Sequence, residues 1–300
     1  MPTKRKLIHE HAEPQDIPLH IQTACLWEAT SRKVGNVHRF ADFANTTYLD
    51  FALSAAAIAK PLDRAMYGWP FGRVLLDGVK ETRRVCGQNT NLGILLLLLP
   101  LLYCDENHYA IPRFIAKLDL DVTRDVFEAI RHASPGGLGE TAEQDVKAEP
   151  TITLFEAMKL AADRDLIARQ YATGYADIFE FGVPAFLAAF AKFGHIEPAV
   201  IECQFQWLAA FPDSLVARKN GSAIAEDVRQ RASRVRTLGG LDTPEGRRAG
   251  VELDGHLRSD GNKLNPGTTA DLVTACLFVA LRDDKVKPAD PYRWDVPDWL

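Results

Sequence analysis

The residues able to do chemistry in this 300-residue chain gather in the connections between apolar stretches. Six such places combine glycine with polar or charged residues. Ser31-Arg32-Lys33-Val34-Gly35-Asn36-Val37-His38-Arg39 sets basic residues around one glycine. Their charge and backbone amides can hold phosphates, and a helix C-cap at Gly35 reads equally well. Gly87-Gln88-Asn89-Thr90-Asn91-Leu92-Gly93 leads into the most apolar stretch. That mouth offers N–H donors and a positive dipole end to an anion, with an ordinary N-cap by Asn89, Thr90 or Asn91 as the plainer reading.

Gly136, Gly137 and Gly139, followed by Glu140, let backbone approach a ligand closely, but no Lys-Ser/Thr follows as in a Walker A loop. Asp163-Arg164-Asp165 lies within an expected helix, where its two aspartates point about 200° apart and cannot share one metal. Arg169 stands at pairing distance from Asp165, so a solvated ion-paired face is the alternative. In residues 211–221, Asp213 can ligate a cation and Arg218 and Lys219 a phosphate, unless this is a simple Pro-Asp turn. In residues 262–271, Thr268 and Asp271 have capping-box spacing. There Gly267, Thr268 and Thr269 expose amides and hydroxyls at a positive helix end, and Asp271 can meet Mg²⁺ bound to a phosphate. Six such loops in one chain imply helix ends converging on a polar, phosphate-rich ligand.

The elements that must position these loops are helices. Apolar residues recur at helical spacing near 19–32, 48–61, 74–85, 92–103, 122–132, 153–171, 184–193, 196–211, 222–238 and 269–282. Strand alternation and Asn-Gly hairpins are missing. The expectation is an all-α single globular domain of about ten helices. Residues 1–17 form an N-terminal extension, 18–284 the helical catalytic domain, and 285–300 a tail packed on the surface through Trp294 and Trp299.

Composition narrows the classes. Hydrophobic residues make 47% and charged residues 25%, which are globular values. Lys and Arg number 35 against 40 Asp and Glu, a net charge of −5, which argues against nucleic-acid binding through bulk basicity. Residues 92–104 are too short to span a bilayer, and residues 1–10 lack the apolar core of a signal peptide. Five scattered cysteines form neither a disulfide framework nor a zinc pattern. A reduced, cytoplasmic protein with no membrane partner is expected.

Taken as a set, the motifs resemble the triphosphoribosyl-dephospho-coenzyme A synthase family. The resemblance runs on Asn36-Val37, Asn89-Thr90-Asn91-Leu92-Gly93, Gly136-Gly137-Leu138-Gly139, Asp213-Ser214 with Arg218-Lys219 and Gly221, and Asn265-Pro266-Gly267-Thr268-Thr269-Ala270-Asp271, from about residue 24 to 282. The best-known members read Thr-His-Lys-Gly where this chain has Thr90-Asn91-Leu92-Gly93, so the resemblance is to a divergent branch. It implies an all-helical fold and a transferase of EC 2.4.2 type. That activity moves the 5-triphosphoribosyl group of ATP to a ribose hydroxyl of 3′-dephospho-CoA, or a related precursor, and releases adenine. Some of the branch is associated with one-carbon carrier cofactors of the methanopterin or methanofuran type. A non-catalytic nucleotide-binding protein and an ADP-ribose-type hydrolase are the competing readings.

Breaking the N-glycosidic bond passes through an oxocarbenium-like state. On the implied activity, Arg32, Lys33, Arg218 and Lys219 hold the triphosphate with Mg²⁺. Amides of Gly136, Gly137, Gly139, Gly267, Thr268 and Thr269 assist them. Asp213 and Asp271 bind the cation, Asn36, Asn89 and Asn91 orient ribose or base, and Glu140 or Asp163 serves as general base.

Overall fold

Eight leucines in the twelve residues Leu92–Tyr103 make a helix with no polar face, and ten of its residues are buried. The rest of the chain wraps this rod. The structure, a computed structural model, describes residues 16–104, 107–133 and 148–292. Gly136, Gly137, Gly139, Glu140, the first fifteen residues and the tail tryptophans Trp294 and Trp299 lie outside the described residues.

In chain order the α-helices are α1 (Ile17–Thr30), α2 (Tyr48–Met66), α3 (Phe71–Cys86), α4 (Leu92–Tyr103), α5 (Ile111–Ile115), α6 (Leu120–Ala133) and α7 (Leu154–Ala161). Then come α8 (Leu166–Thr173), α9 (Val183–Phe193), α10 (Ile196–Ala210), α11 (Ser214–Asn220), α12 (Ser222–Thr237), α13 (Pro244–Arg258) and α14 (Gly267–Arg282). No strand forms among the described residues; His38–Ala41 and Phe43–Thr46 are isolated bridges. The all-α expectation holds, with fourteen α-helices among the described residues where ten were expected.

Three of the extra helices are short or polar: α5 and α11 have five and seven residues, and α13 buries only five of its fifteen. The fourth arises because the segment expected to run from 153 to 171 breaks in two. Asp165 leaves the helix and caps α8, its Oδ1 accepting from Ile167 N at 2.9 Å and Ala168 N at 3.1 Å. An aspartate at an N-cap satisfies donors that would otherwise be orphaned. Pro61, the end of the segment expected over 48–61, sits inside α2.

α4 contains its own fault. Pro100 has no N–H, so the Leu96 carbonyl one turn earlier loses its helical partner. Two buried tyrosines replace it: Tyr171 Oη donates to Leu96 O at 2.7 Å, and Tyr175 Oη to Leu97 O at 3.1 Å. A single buried helix thereby fixes α8 and the turn after it. α10 is buried on nearly every side because it faces two clusters. Val200, Cys203 and Trp207 enter the core around α4 and α14, while Ile201, Phe205 and Leu208 enter a second core with α12 and α13.

Residues 31–38 between α1 and α2 are buried although they form a loop, so their backbone must find partners inside. Gln204 accepts from Val34 N at 3.0 Å and donates to Val34 O at 2.9 Å, and Asp254 accepts from Gly35 N at 2.8 Å. Gly35 has a φ of 69°, and a Cβ there would meet Leu257 at 2.7 Å. It is a buried turn glycine, since α1 ends at Thr30. The tail returns to the same region: Pro291 O accepts from Ile196 N at 2.9 Å, and the Tyr292 and Ser31 hydroxyls lie 2.8 Å apart.

No single helix among the described residues is long and apolar enough to cross a membrane.

Candidate active site

A cavity of about 650 Å³ opens where α4, α7, α8, α11 and α14 meet, and α6 closes one flank. Its size falls in the range of small-molecule sites. One wall is apolar: Leu92, Ile94 and Leu96 from α4, Phe127 and Ile130 from α6, and Met158 and Ile167 from α7 and α8. The other is polar. Asn36, Asn89, Asn262 and Asn265 supply amides, while Arg164, Arg218 and Lys219 supply positive charge.

Each polar residue is set by a local device. Asn89 Oδ1 accepts from Leu92 N at 3.0 Å and so caps α4 at the cavity mouth. Asn36 donates to Asn265 Oδ1 at 2.6 Å and accepts from Gln204 at 2.8 Å, which joins the loop after α1 to the loop before α14. Arg218 pairs with Asp165 at 3.0 Å. Lys219 donates to Asn262 O at 3.3 Å, and burial and then the Arg218 charge hold its pKa below the usual lysine range. A lysine depressed by a neighbouring guanidinium favours an anion beside the two.

Three carboxylates line the cavity among the described residues: Glu28, Asp165 and Asp271. Asp271 lies on the first turns of α14 and makes no hydrogen bond or ion pair among the described residues. Burial holds its carboxyl well above the usual range, and Glu28 and Asp213 push the same way against Arg218. α4 comes so close to it that a Cβ on Gly93 would lie 2.0 Å from Asp271 Oδ2. Glycine is thus the residue that lets the α4 mouth and the α14 start share one site. Ile130 of α6 and Leu154 of α7 also line the cavity.

The sequence pattern of the ATP:dephospho-CoA triphosphoribosyl transferase family matches residues 14–289. This chain belongs to that family. Among solved structures it is similar to one from Archaeoglobus fulgidus whose given name, triphosphoribosyl-dephospho-CoA synthase, is itself inferred. The likeness is 30% identical in sequence with a TM-score of 0.60, over 77% of this chain and 97% of that one. No curated protein matches the chain. The family is one of transferases in prosthetic-group biosynthesis that use ATP and dephospho-CoA.

Of the residues expected at the site, this family member brings Asn36, Asn89, Arg218, Lys219, Gly267, Thr268 and Asp271 to the cavity. Five others are spent elsewhere. Arg32 is buried in a two-point pair with Glu197, both contacts at 2.9 Å, and Lys33 is buried against Glu28 at 2.9 Å. Neither lines the cavity. Asn91 is buried between Ser54 and Thr82. Thr269 turns inward and bonds Asp213. Asp163 is exposed beyond the end of α7, outside the cavity.

Asp213 is the clearest correction. Its Oδ1 accepts from Leu215 N and Val216 N at 2.8 and 3.0 Å, and its Oδ2 from Thr269 N and Oγ1 at 2.7 and 2.8 Å. Four donors fill the acceptor capacity of a carboxylate, which leaves none for a metal. Asp213 instead ties the start of α11 to the start of α14, bringing Arg218 and Asp271 to one cavity. It also replaces the capping box expected from Thr268 and Asp271, because α14 has no side-chain cap of its own. Arg169 pairs with Asp177 at 2.7 Å, not with Asp165.

Glu28, Thr90, Arg164, Asp165 and Asn265 were not singled out as site residues, yet all line the cavity. Thr90 Oγ1 is buried there with no hydrogen-bond partner among the described residues. Glu28 had one usable signal, a carboxylate just ahead of the basic stretch at residues 31–39.

No group of three or more His, Cys, Asp or Glu residues is placed to hold a metal among the described residues. The unpartnered Asp271 carboxylate, in a surplus of negative charge, fits one ligand of a divalent cation whose other ligands are phosphate oxygens and water. Asp213 does not fit.

Proposed function

We propose that this protein transfers the 5-triphosphoribosyl group of ATP to a ribose hydroxyl of 3′-dephospho-CoA and releases adenine, a pentosyl transfer of EC 2.4.2 type, in the cytoplasm. The two-sided cavity carries the reading. Arg218 and Lys219 lie beside the start of α14, where Gly267 and Thr268 bring backbone to the cavity. This end suits a triphosphate, by charge and by helix-end amides. The opposite wall of Leu92, Ile94, Leu96 and Ile130 suits the face of adenine or the uncharged arm of the acceptor.

Asp271 would hold Mg²⁺ against the phosphates, and the bound ion neutralises their charge. Asn36, Asn89 and Asn265 present amides to ribose hydroxyls. Thr90, buried at the wall without a partner among the described residues, offers its hydroxyl to the same ligand.

The test is adenine release from ATP, followed chromatographically with dephospho-CoA and Mg²⁺ present. Release should require the acceptor, stop with EDTA and return with added Mg²⁺. Adenine formed equally well without acceptor would convert the reading to a hydrolase, and no adenine at all would refute it.

A second acceptor class is favoured by one observation. Leu92 lines the cavity, while Asn91 beside it faces away. A leucine there cannot pair with an acceptor phosphate as a basic residue would. Precursors of one-carbon carrier cofactors, tried in the same assay, discriminate this branch by a higher kcat/KM than dephospho-CoA.

A further inference from the structure

Attack by a hydroxyl needs a base, and the cavity offers three carboxylates among the described residues. Asp165 has both oxygens engaged, one capping α8 and one on Arg218. Asp271 sits at the α14 end with the phosphate-binding groups. Glu28 differs from both. It is buried at 4% exposure, two residues before the end of α1, and it lines the cavity. Its Oε1 is held by Lys33 Nζ at 2.9 Å, while Oε2 makes no hydrogen bond among the described residues.

Lys33 is fixed in turn. It is fully buried and also donates to the Glu28 carbonyl at 2.6 Å, so it grips side chain and backbone of one residue. One carboxylate oxygen is pinned and the other is left to the cavity. Glu28 and Asp271 line the same cavity, and Glu28 is the charged group that most raises the Asp271 carboxyl. With the triphosphate held by Arg218, Lys219 and the start of α14, the ribose and the attacking hydroxyl would occupy the remainder of the cavity that Glu28 also lines.

We propose that Glu28 is the catalytic base that takes the proton of the acceptor hydroxyl, with Lys33 as its positioning residue; this rests on the triphosphoribosyl-transfer reading above. As the hydroxyl oxygen bonds to C1′, its proton passes to Glu28 Oε2. The C1′–N9 electron pair stays with adenine, which takes up a proton from solvent, and Glu28 returns its own to solvent before the next turnover. Atoms and charge balance without a further reactant.

The electrostatics agree with the geometry. Burial raises Glu28 above the usual carboxylate range, and Lys33 pulls it back toward the charged form. The groups around the pair are Cys25 on α1, His38 in the loop after α1, Asp271 on α14, Glu197 on α10 and Arg258 on α13. A carboxylate raised above its usual range is a stronger base in its ionised form.

The experiment measures adenine release with ATP, Mg²⁺ and dephospho-CoA over pH, together with ATP binding by calorimetry. Glu28→Gln should lower kcat by about 100-fold or more while ATP affinity stays within threefold. Glu28→Asp should recover part of that loss. Lys33→Met removes the stabilising charge, so the acid limb of the kcat/KM profile should move to higher pH, a shift that a purely structural pair would not produce. Should Glu28→Gln fail to fold with Lys33 left unpaired, Glu28→Gln with Lys33→Met replaces the ion pair by neutral side chains and should show the same loss. Wild-type protein that releases no adenine overturns the reading and the proposal with it. Adenine release by Glu28→Gln within threefold of wild type, or an unmoved acid limb in Lys33→Met, overturns the proposal alone.

Discussion

Replacing Gly93 by alanine tests the site geometry with one methyl group. An added Cβ would stand 2.0 Å from Asp271 Oδ2, 2.5 Å from its Cγ and 2.9 Å from Ile167 Cδ1, where ordinary contact begins at 3.4 Å. Ile167 can yield by a few tenths of an ångström, but the carboxylate must retreat by about 1 Å or more. Stability should change little. Alanine in a helix gains about 1 kcal/mol over glycine, and overpacking costs about 1–3 kcal/mol. A displacement of about 1 Å in a catalytic group can cost about 100-fold in rate. Gly93→Ala should therefore unfold within about 2 kcal/mol of wild type and release adenine about 100-fold more slowly. Gly255→Ala on α13 is the control, because a Cβ there meets nothing within 4 Å. It should be slightly stabilising and fully active. If Gly93→Ala keeps a rate within threefold of wild type, Asp271 is not a positioned part of the site.

Three further outcomes follow from groups behind the cavity. Asp213→Ala strands the Leu215, Val216 and Thr269 donors and should cost about 2–4 kcal/mol in urea unfolding; a smaller loss than about 1 kcal/mol would contradict its bridging role. Tyr171→Phe removes the closer of the two hydroxyls on the Leu96 carbonyl that Pro100 leaves open. It should cost about 1–3 kcal/mol by the same measurement, with adenine release unaffected. His38 is pushed down to about 3 by burial and by Lys33, Arg258 and Arg32, and its Nδ1 accepts from Phe40 N at 3.3 Å. A folded pKa below the unfolded value means stability that is present above about pH 6.5 and lost as pH falls toward 3, on the order of 2 kcal/mol between pH 7 and pH 5. His38→Gln should flatten that slope in denaturant titrations.

The helices were legible because burial leaves a periodic trace. α4 announces itself by eight leucines in twelve residues, and α14 by Leu272, Val273, Cys276, Leu277 and Ala280. Pro61 misled, because it packs on the buried face of α2 and the helix runs on past it to Met66. The break at Asp165 was hidden because apolar spacing continues on both sides of it, while the cap depends on which way one aspartate turns.

At the site, the same residue types proved to have opposite uses. Arg32, Lys33, Arg218 and Lys219 look alike as basic residues beside glycines. Only the last two reach the cavity; Glu197 and Glu28 claim the first two from inside the core. Asp213 and Asp271 likewise look alike at helix starts, yet among the described residues one has four donors around it and the other none.

The sequence by itself determined that the chain is helical, which segments bury, and that polar glycine loops at helix ends hold the chemistry, since each follows from local spacing and residue type. Tertiary structure alone decided which charge is a tie and which is a tool. That choice depends on partners up to 165 residues away, as between Arg32 and Glu197, and on whether the last lone pair of a carboxylate meets a donor or open space.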